Sequence, residues 1–202
     1  RGLQVVADEA YQKGAADYRS TLTKLKAANP DLVLMVSYVA DATLLMRQSR
    51  ELGLTPQAFL GAGAGYAQVQ FANEKEISNG VFSSTQWTND VNWPGAKEFF
   101  ARYKTKFGKE PTYHAACAYA AMVIMAEEAA KAAGDREKLK KQLVDGKWNG
   151  IMRPVAFDDY DGYTNQNKHE MLAEQVQDGR FVTVFPSKYA TGKVVYPFPG
   201  WK

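Results

Sequence analysis

The first half of the chain alternates between two hydrophobic periods. Four short apolar runs have the length of buried strands and lie at residues 3–7, 32–38, 58–60 and 80–85. Such unbroken runs are typical of parallel strands that are covered on both faces. Between the first two runs, Tyr18, Leu22 and Leu25 recur at helical spacing, and a second helix begins near Asp41. The pattern predicts a doubly wound α/β unit.

The second half begins with helices and returns to strands. Helices are predicted after Pro94 and Pro111, and the second of them is apolar almost all round between residues 115 and 126. A helix with this pattern is expected to be buried and to need another domain beside it. The last strands are predicted at residues 155–157, 171–176 and 181–185. Asp178 and Gly179 join the last two as a hairpin turn.

Composition excludes several classes of function. The 202 residues carry 25 Lys plus Arg against 22 Asp plus Glu, and the net charge of +3 is not concentrated as nucleic-acid binding requires. Cys117 is the single cysteine, and His114 and His169 are the two histidines, so neither a disulfide nor a metal centre is expected. No run of eighteen apolar residues is present, which excludes a membrane span.

A glycine-rich stretch at residues 61–65 follows the third predicted strand and raises the question of a phosphate loop. Tyr66 stands where the dinucleotide fingerprint requires its third glycine, and no acid occurs near Val81 at the next strand. No cofactor is therefore expected. The small residues still let a ligand approach the backbone closely, which makes Ala62 and Gly63 candidate binding positions, although a plain turn explains them as well.

Aromatic residues recur at the ends of the predicted elements. Tyr38 ends a strand, Tyr66 follows the glycine stretch, Trp87 follows the fourth strand, and Tyr113 with His114 begins the apolar helix. Taken singly, each is explained by packing in the core or at its rim. Together they predict a concave, aromatic-lined pocket for a small molecule.

Seven segments form a recognisable series along the chain, at residues 27–31, 47–54, 59–61, 99–111, 118–121, 150–158 and 178–181. Taken in order, they resemble the periplasmic solute-binding proteins of branched-chain amino-acid ABC transporters. The resemblance implies two doubly wound lobes joined by hinge crossovers. It assigns residues 1–92 to the core of lobe 2, residues 93–148 to a return into lobe 1, and residues 149–202 to a crossover and the last strands of lobe 2. The hinges would lie near residues 87–94 and 145–152. The family's amino-terminal part has no counterpart here, so lobe 1 is expected to be incomplete.

The resemblance also implies how a ligand would be held. Family members that bind α-amino acids clamp the ammonium with a tyrosine, matched here by Tyr38, and with an acid at the position of Gly63 or a neighbour. No acid occurs from residue 55 to residue 73, and a buried ammonium without a partner costs several kcal/mol. Either Asp41 or a residue of the missing part supplies the charge, or the ligand has no ammonium, which we favour. Asp41 is also explained as a helix cap or as an acid in the first turn of its helix.

Arg153 stands where the family often has glycine. It is expected either to bind a ligand carboxylate in the cleft or to pair with Asp158 or Asp159 on the surface.

The implied function is capture of a small carboxylate by closure of the two lobes. The ligand is an amino acid or, as favoured here, an apolar or aromatic acid, and the partner is an ABC permease. The implied location is periplasmic or extracellular, at the membrane through the transporter. Two alternatives stay open: the ligand-sensing module of a receptor or regulator, and an α/β enzyme. No nucleophile paired with a base is visible at the strand ends, which disfavours an enzyme.

Overall fold

The computed structural model describes residues 2–62 and 65–201, which belong to two compact units. The first unit comprises Arg1–Thr85 and Leu172–Lys202, and the second comprises Gln86–Met171. In chain order the elements are α1 (Arg19–Ala27), β1 (Leu32–Val36), α2 (Val39–Glu51), β2 (Ala58–Ala62), α3 (Val69–Asn73), α4 (Lys75–Ser78), β3 (Phe82–Thr85), α5 (Ala96–Phe107), α6 (Tyr113–Ala132), α7 (Arg136–Asp145), β4 (Lys147–Trp148), β5 (Val155–Ala156), β6 (Asp158–Tyr160), β7 (Tyr163–Gln166), β8 (Leu172–Gln177), β9 (Arg180–Phe185) and a 3₁₀ turn (Ser187–Tyr189).

The first unit is built on a five-stranded sheet in the order β1-β2-β3-β8-β9. The first three strands are parallel, as the alternating pattern predicts, whereas β8 and β9 are antiparallel to their neighbours. Asp178 and Gly179 form the predicted turn between β8 and β9, and both adopt the positive φ that a two-residue hairpin favours. The mixed α/β class predicted from the sequence is confirmed.

The core of this unit lies between the sheet and the helices α1 and α2. Leu22 and Met46 are completely buried there, and Val33 and Met35 of β1 point into the same cluster. The carboxyl-terminal tail packs Phe198 and Trp201 against Phe59 of β2, with ring centroids 5.1 and 5.4 Å away. The tail therefore covers part of β2.

Two expectations for the sheet are not met. Residues 3–7 form no strand, and Leu3 and Val5 are each 79% exposed. Only alternate residues of β1 are buried, and Leu34 and Val36 are 65% and 64% exposed. β1 is the edge strand of the described sheet, so no described strand pairs with its open side. The exposure of Leu34 and Val36 shows that the described residues leave its second face largely uncovered.

The second unit contains α5, α6, α7 and two small two-stranded sheets, β4-β5 and β6-β7. The predicted burial of its long apolar helix is not found. Ala116, Glu128 and Ala132 are the buried residues of α6, whereas Met122 is 68% and Met125 is 42% exposed. Neighbouring elements within the unit cover only one side of this helix.

Candidate functional site

The carboxyl ends of β1 and β2 lie side by side. Val36 pairs with Ala62, so the turns after the two strands meet, and the Gly65 N–H donates a hydrogen bond of 2.9 Å to the Ser37 carbonyl oxygen. A Cβ at Gly65 would lie 2.5 Å from the same oxygen, which means that only glycine permits this approach. Ala62 is half-buried at this edge. Gly63 lies outside the described residues.

Tyr38 is the exposed side chain of this edge. It precedes α2 in an extended conformation, and its carbonyl oxygen accepts the N–H of Ala42, 2.8 Å away. The ring is 60% exposed, and the Nζ atom of Lys13 lies 4.5 Å from its centroid. Tyr38 and Lys13 thus present an aromatic surface and a positive charge together, an arrangement that suits an anion attached to an apolar group.

The sequence did not predict Lys13 as a site residue, because Lys13 lies in a turn outside every periodic segment. Within the described chain its ammonium forms no ion pair with a carboxylate. Lys13 and Tyr38 line a groove of about 740 Å³ beside β1. Glu9, which lines the same groove, pairs instead with Lys24 at 2.9 Å, and Asp8 is exposed at the groove wall. The positive charge nearest Tyr38 therefore remains accessible to a ligand.

Asp41 lies in the first turn of α2 and is 5% exposed. Its Oδ1 atom accepts hydrogen bonds from the Tyr18 hydroxyl at 2.7 Å and from the Gly14 N–H at 3.0 Å. The carboxylate thus ties the turn before α1 to the start of α2. This structural role agrees with the alternative in which Asp41 is an acid in the first turn of its helix. Asp41 also lines the groove that reaches Tyr38.

Burial, together with the hydrogen bond to Asp41, raises the pKa of Tyr18 to about 12. An unfolded tyrosine titrates near pH 10, so the unfolded chain loses this proton first as the pH rises. The stability that this group contributes is fully present below about pH 10 and is lost as the pH approaches about 12. We expect the free energy of unfolding, measured by urea titration, to fall as the pH rises from about 10 to about 12. In the Tyr18→Phe variant this fall should be smaller, because the titrating hydroxyl is absent. Tyr163→Phe, at an exposed position, is the control, and an unchanged pH profile in Tyr18→Phe would contradict the assignment.

The structure corrects the expectation that Tyr66 lines a ligand pocket. Its ring is 1% exposed and packs edge-on against Phe71 with centroids 5.1 Å apart, so no ligand ring can stack on it here. Its hydroxyl lies 3.3 Å from Ser37 Oγ, and burial raises the pKa of this hydroxyl far above the ordinary value. A Cβ at Gly61 would lie 2.2 Å from the Tyr66 ring. The first glycine of the stretch therefore makes room for a core side chain.

Tyr11 is a second residue that the sequence did not single out. Its hydroxyl donates to the Val36 carbonyl oxygen at 2.7 Å and lies 2.8 Å from Ser37 Oγ. Tyr11, Ser37 and Tyr66 form a hydrogen-bonded chain beneath Tyr38, and this chain fixes the turn that presents Tyr38. No period or motif signals it, because its members are far apart along the sequence.

The remaining candidates belong to the second unit. Trp87 is 3% exposed and packs edge-on against Phe99 with centroids 5.8 Å apart, which makes it a core residue and corrects the expectation of a ligand-facing ring. Tyr113 and His114 stack at 4.0 Å at the beginning of α6, where Thr112 caps the helix by accepting the Ala115 N–H. Tyr113 is half-buried and His114 is exposed.

Arg153 is 6% exposed, whereas the surface alternative placed it in solvent. Its Nη2 atom lies 2.8 Å from His169 Nδ1, and its guanidinium carbon lies 5.6 Å from the Trp93 ring. Burial and the Arg153 charge lower the pKa of His169, so a neutral imidazole faces the guanidinium at neutral pH. Arg153 thus sits in an interior cluster of its own unit.

The structure brings Tyr38, Asp41 and Ala62 to one edge of the first unit. The described residues include no group of three or more acidic, histidine or cysteine side chains that could hold a metal ion. Among the helices in the described part of the chain, none is long and apolar enough to cross a membrane.

Known proteins with similar sequences and folds are binding proteins. The model of the family named periplasmic binding protein matches residues 1–180. The Leu/Ile/Val-binding protein homolog 7 of Brucella melitensis is 30% identical over an alignment of 210 residues, which covers 97% of this chain and 51% of that protein. A leucine-binding protein from Thermotoga maritima superposes with a TM-score of 0.72 at 25% identity, over 86% of this chain and 49% of the other. A solute-binding protein from R. palustris, solved with benzoate, superposes with a TM-score of 0.72 at 14% identity, over 90% and 49% of the two chains. This chain spans about half the length of these relatives. It belongs to the periplasmic binding protein family.

Proposed function

We propose that this chain is part of an extracytoplasmic solute-binding protein that delivers a small carboxylate to an ABC permease. Membership of the periplasmic binding protein family supports the class. The observation that carries the proposal is the exposed pair of Tyr38 and Lys13 at the carboxyl ends of two parallel strands, the edge at which open α/β sheets bind ligands. The corresponding location is the periplasm or the extracellular side of the membrane.

The ligand we propose is an apolar or aromatic acid without an ammonium group. An α-amino acid with its ammonium at Tyr38 would place that charge beside the ammonium of Lys13, and like charges at this range repel. The Asp41 Oδ1 atom already accepts hydrogen bonds from Tyr18 and Gly14. The R. palustris protein of similar fold, which was solved in complex with benzoate, supports this ligand class. Branched-chain amino acids, for which the Brucella relative is named, are the competing ligand class.

Capture requires no covalent chemistry. We assign residues 1–92 and 149–202 to one lobe, and residues 93–148 to a return into a second lobe that another part of the same protein completes. The exposed apolar side of α6, which includes Tyr119, Met122 and Met125, supports the existence of that further part. A ligand held by both lobes favours the closed state through contacts that exist only there. Closure then presents the loaded protein to the permease.

A thermal-shift screen tests this function on the protein at the full length of its relatives. Benzoate and related aromatic acids are compared with leucine, isoleucine and valine. At a ligand concentration one hundred times Kd, binding adds about 2.7 kcal/mol to the free energy of unfolding, which raises Tm measurably. We expect the aromatic acids to give the larger rise. Stabilisation by neither class, with hydrolysis of an ester or phosphate instead, would contradict a binding function.

The Tyr38→Phe variant tests the site within that screen. We expect the affinity for the stabilising acid to fall about tenfold, because a hydrogen bond from the tyrosine hydroxyl contributes about 1–1.5 kcal/mol. Isothermal titration calorimetry measures the change. Tyr163→Phe, which alters a similarly exposed tyrosine of the second unit, serves as the matched control. If wild type and Tyr38→Phe bound the acid with equal affinity, the Tyr38 hydroxyl would not contact the ligand, and Tyr38 would have only a packing role.

A further inference from the structure

The chain contains two Asn-Gly pairs, Asn79-Gly80 and Asn149-Gly150. In such a pair the second residue has no side chain to shield its backbone nitrogen, so that nitrogen can approach the side-chain carbonyl carbon of the asparagine. Whether it does so in a folded protein depends on how firmly the surroundings hold the two residues. The two pairs have opposite surroundings in this structure.

Asn79-Gly80 is held from both ends. The Gly80 N–H donates to the Val176 carbonyl oxygen at 2.8 Å, and the Asn79 Oδ1 atom accepts the Asp178 N–H at 3.0 Å. Gly80 is buried, and a Cβ there would lie 2.7 Å from Pro199 of the tail. The Gly80 nitrogen therefore cannot turn toward the Asn79 side chain unless the structure around it opens locally.

Asn149-Gly150 lies in the loop between β4 and β5 and has none of these restraints. Asn149 is exposed. Within the described residues, neither its side chain nor the Gly150 N–H takes part in a hydrogen bond. A Cβ at Gly150 would have no heavy atom within 4 Å beyond its chain neighbours. The Gly150 nitrogen can therefore reach the Asn149 side chain without any unfolding.

We propose that Asn149 is a site of spontaneous deamidation, whereas the fold protects Asn79. The Gly150 nitrogen attacks the Asn149 Cγ atom and forms a C–N bond. The side-chain nitrogen leaves as ammonia and takes with it the proton that the Gly150 nitrogen loses. Water then opens the resulting five-membered imide at either of its carbonyl carbons, which yields aspartate or isoaspartate. Neither step involves the ligand site, so the reaction proceeds whether or not the protein binds an acid.

Both products change the loop that follows β4. Each replaces a neutral amide by a carboxylate, and isoaspartate also adds one methylene to the backbone. The altered residue follows directly on Trp148, whose Nε1–H donates to Glu128 at 3.2 Å, and lies two residues before Ile151, which is buried. Deamidation thus changes the charge and the path of the chain between two anchored side chains.

Peptide mass spectrometry of the protein at the full length of its relatives tests the assignment. The native protein is incubated at mildly alkaline pH, at which the backbone nitrogen loses its proton more readily, and fragment ions report the extent of deamidation at each site. We expect Asn149 to react at least about tenfold faster than Asn79, since tenfold corresponds to about 1.4 kcal/mol and two hydrogen bonds must open at Asn79. Equal rates, or a faster reaction at Asn79, would overturn the proposal.

The same protein unfolded in guanidinium chloride is the control for local sequence. Both pairs are then released from the fold, so the two rates should become similar. A tenfold difference that persisted after unfolding would show that the neighbouring residues, rather than the structure, protect Asn79, and the proposal would be wrong.

Gly150→Ala tests the chemistry. The added Cβ meets no neighbouring atom and the backbone there is not left-handed, so Tm should stay close to that of wild type. The same Cβ crowds the attacking nitrogen, so deamidation at Asn149 should slow. An unchanged rate in Gly150→Ala, or aspartate without any isoaspartate in wild type, would exclude attack by the Gly150 nitrogen and overturn the proposed route.

Discussion

Replacing Tyr66 by alanine is expected to lower the free energy of unfolding by about 3–5 kcal/mol, the cost of removing a large buried aromatic side chain. The ring is 1% exposed and fills the space between Gly61, Phe71 and the turn after β1. Its loss leaves a cavity that the surrounding sheet can close only in part. Urea denaturation of the 202-residue chain measures the effect.

Tyr66→Phe separates packing from hydrogen bonding. It keeps the ring and removes only the contact to Ser37 Oγ at 3.3 Å, so we expect a loss of about 0.5–1.5 kcal/mol. Tyr163→Ala removes an exposed ring and should change stability little. If Tyr66→Ala kept its stability while the longer protein lost ligand affinity, Tyr66 would be a ligand contact, and the core assignment would be wrong.

Replacing Lys13 by glutamine is expected to weaken binding of the preferred carboxylate by about 10- to 100-fold. A hydrogen bond to a charged group contributes about 1.5–3 kcal/mol, and glutamine removes the charge while keeping a polar side chain of similar length. Calorimetry at two salt concentrations measures the effect on the protein at the relatives' full length. Because Lys13 is exposed, added salt should weaken wild-type binding more than binding by the variant.

Lys97→Gln is the matched control for this charge effect. Lys97 is an exposed lysine of α5 in the second unit, and its replacement should leave affinity unchanged. Leucine provides the converse measurement, since loss of the Lys13 charge removes repulsion of a ligand ammonium and should improve leucine binding relative to benzoate. Equal benzoate affinity in wild type and Lys13→Gln would show that the carboxylate is held elsewhere and would remove the main support for an acid without an ammonium.

The order of strands and helices could be predicted because local periodicity carries it. The runs at residues 32–38, 58–60 and 80–85 became β1, β2 and β3, and Asp178-Gly179 became the turn between β8 and β9. Local periodicity was not enough to predict whether residues 3–7 form a strand. A strand exists only where a neighbouring backbone completes its hydrogen bonds, and the described chain supplies none at that place.

The sequence placed the candidate site at the strand ends, and the structure brings only some of its proposed members to one edge. Tyr38 lies exposed at the carboxyl end of a parallel strand, where sheet topology places ligands. Tyr66 and Trp87 share its residue class and its position after a strand, yet both rings are buried in the cores of their units. Position along the chain does not tell whether an aromatic ring turns inward, because that depends on the partners it meets in space.

By itself, the sequence determined the α/β alternation, the hairpin turn and the likeness to a family of binding proteins, because these depend on short-range periods and on the order of segments. Only the tertiary structure decided that Lys13 meets Tyr38, that Asp41 is tied to Tyr18 and Gly14, and that one edge of the sheet is open. These features join residues that are 23 to 27 positions apart or depend on a strand's neighbours. Packing in three dimensions sets such contacts, and no local pattern records them.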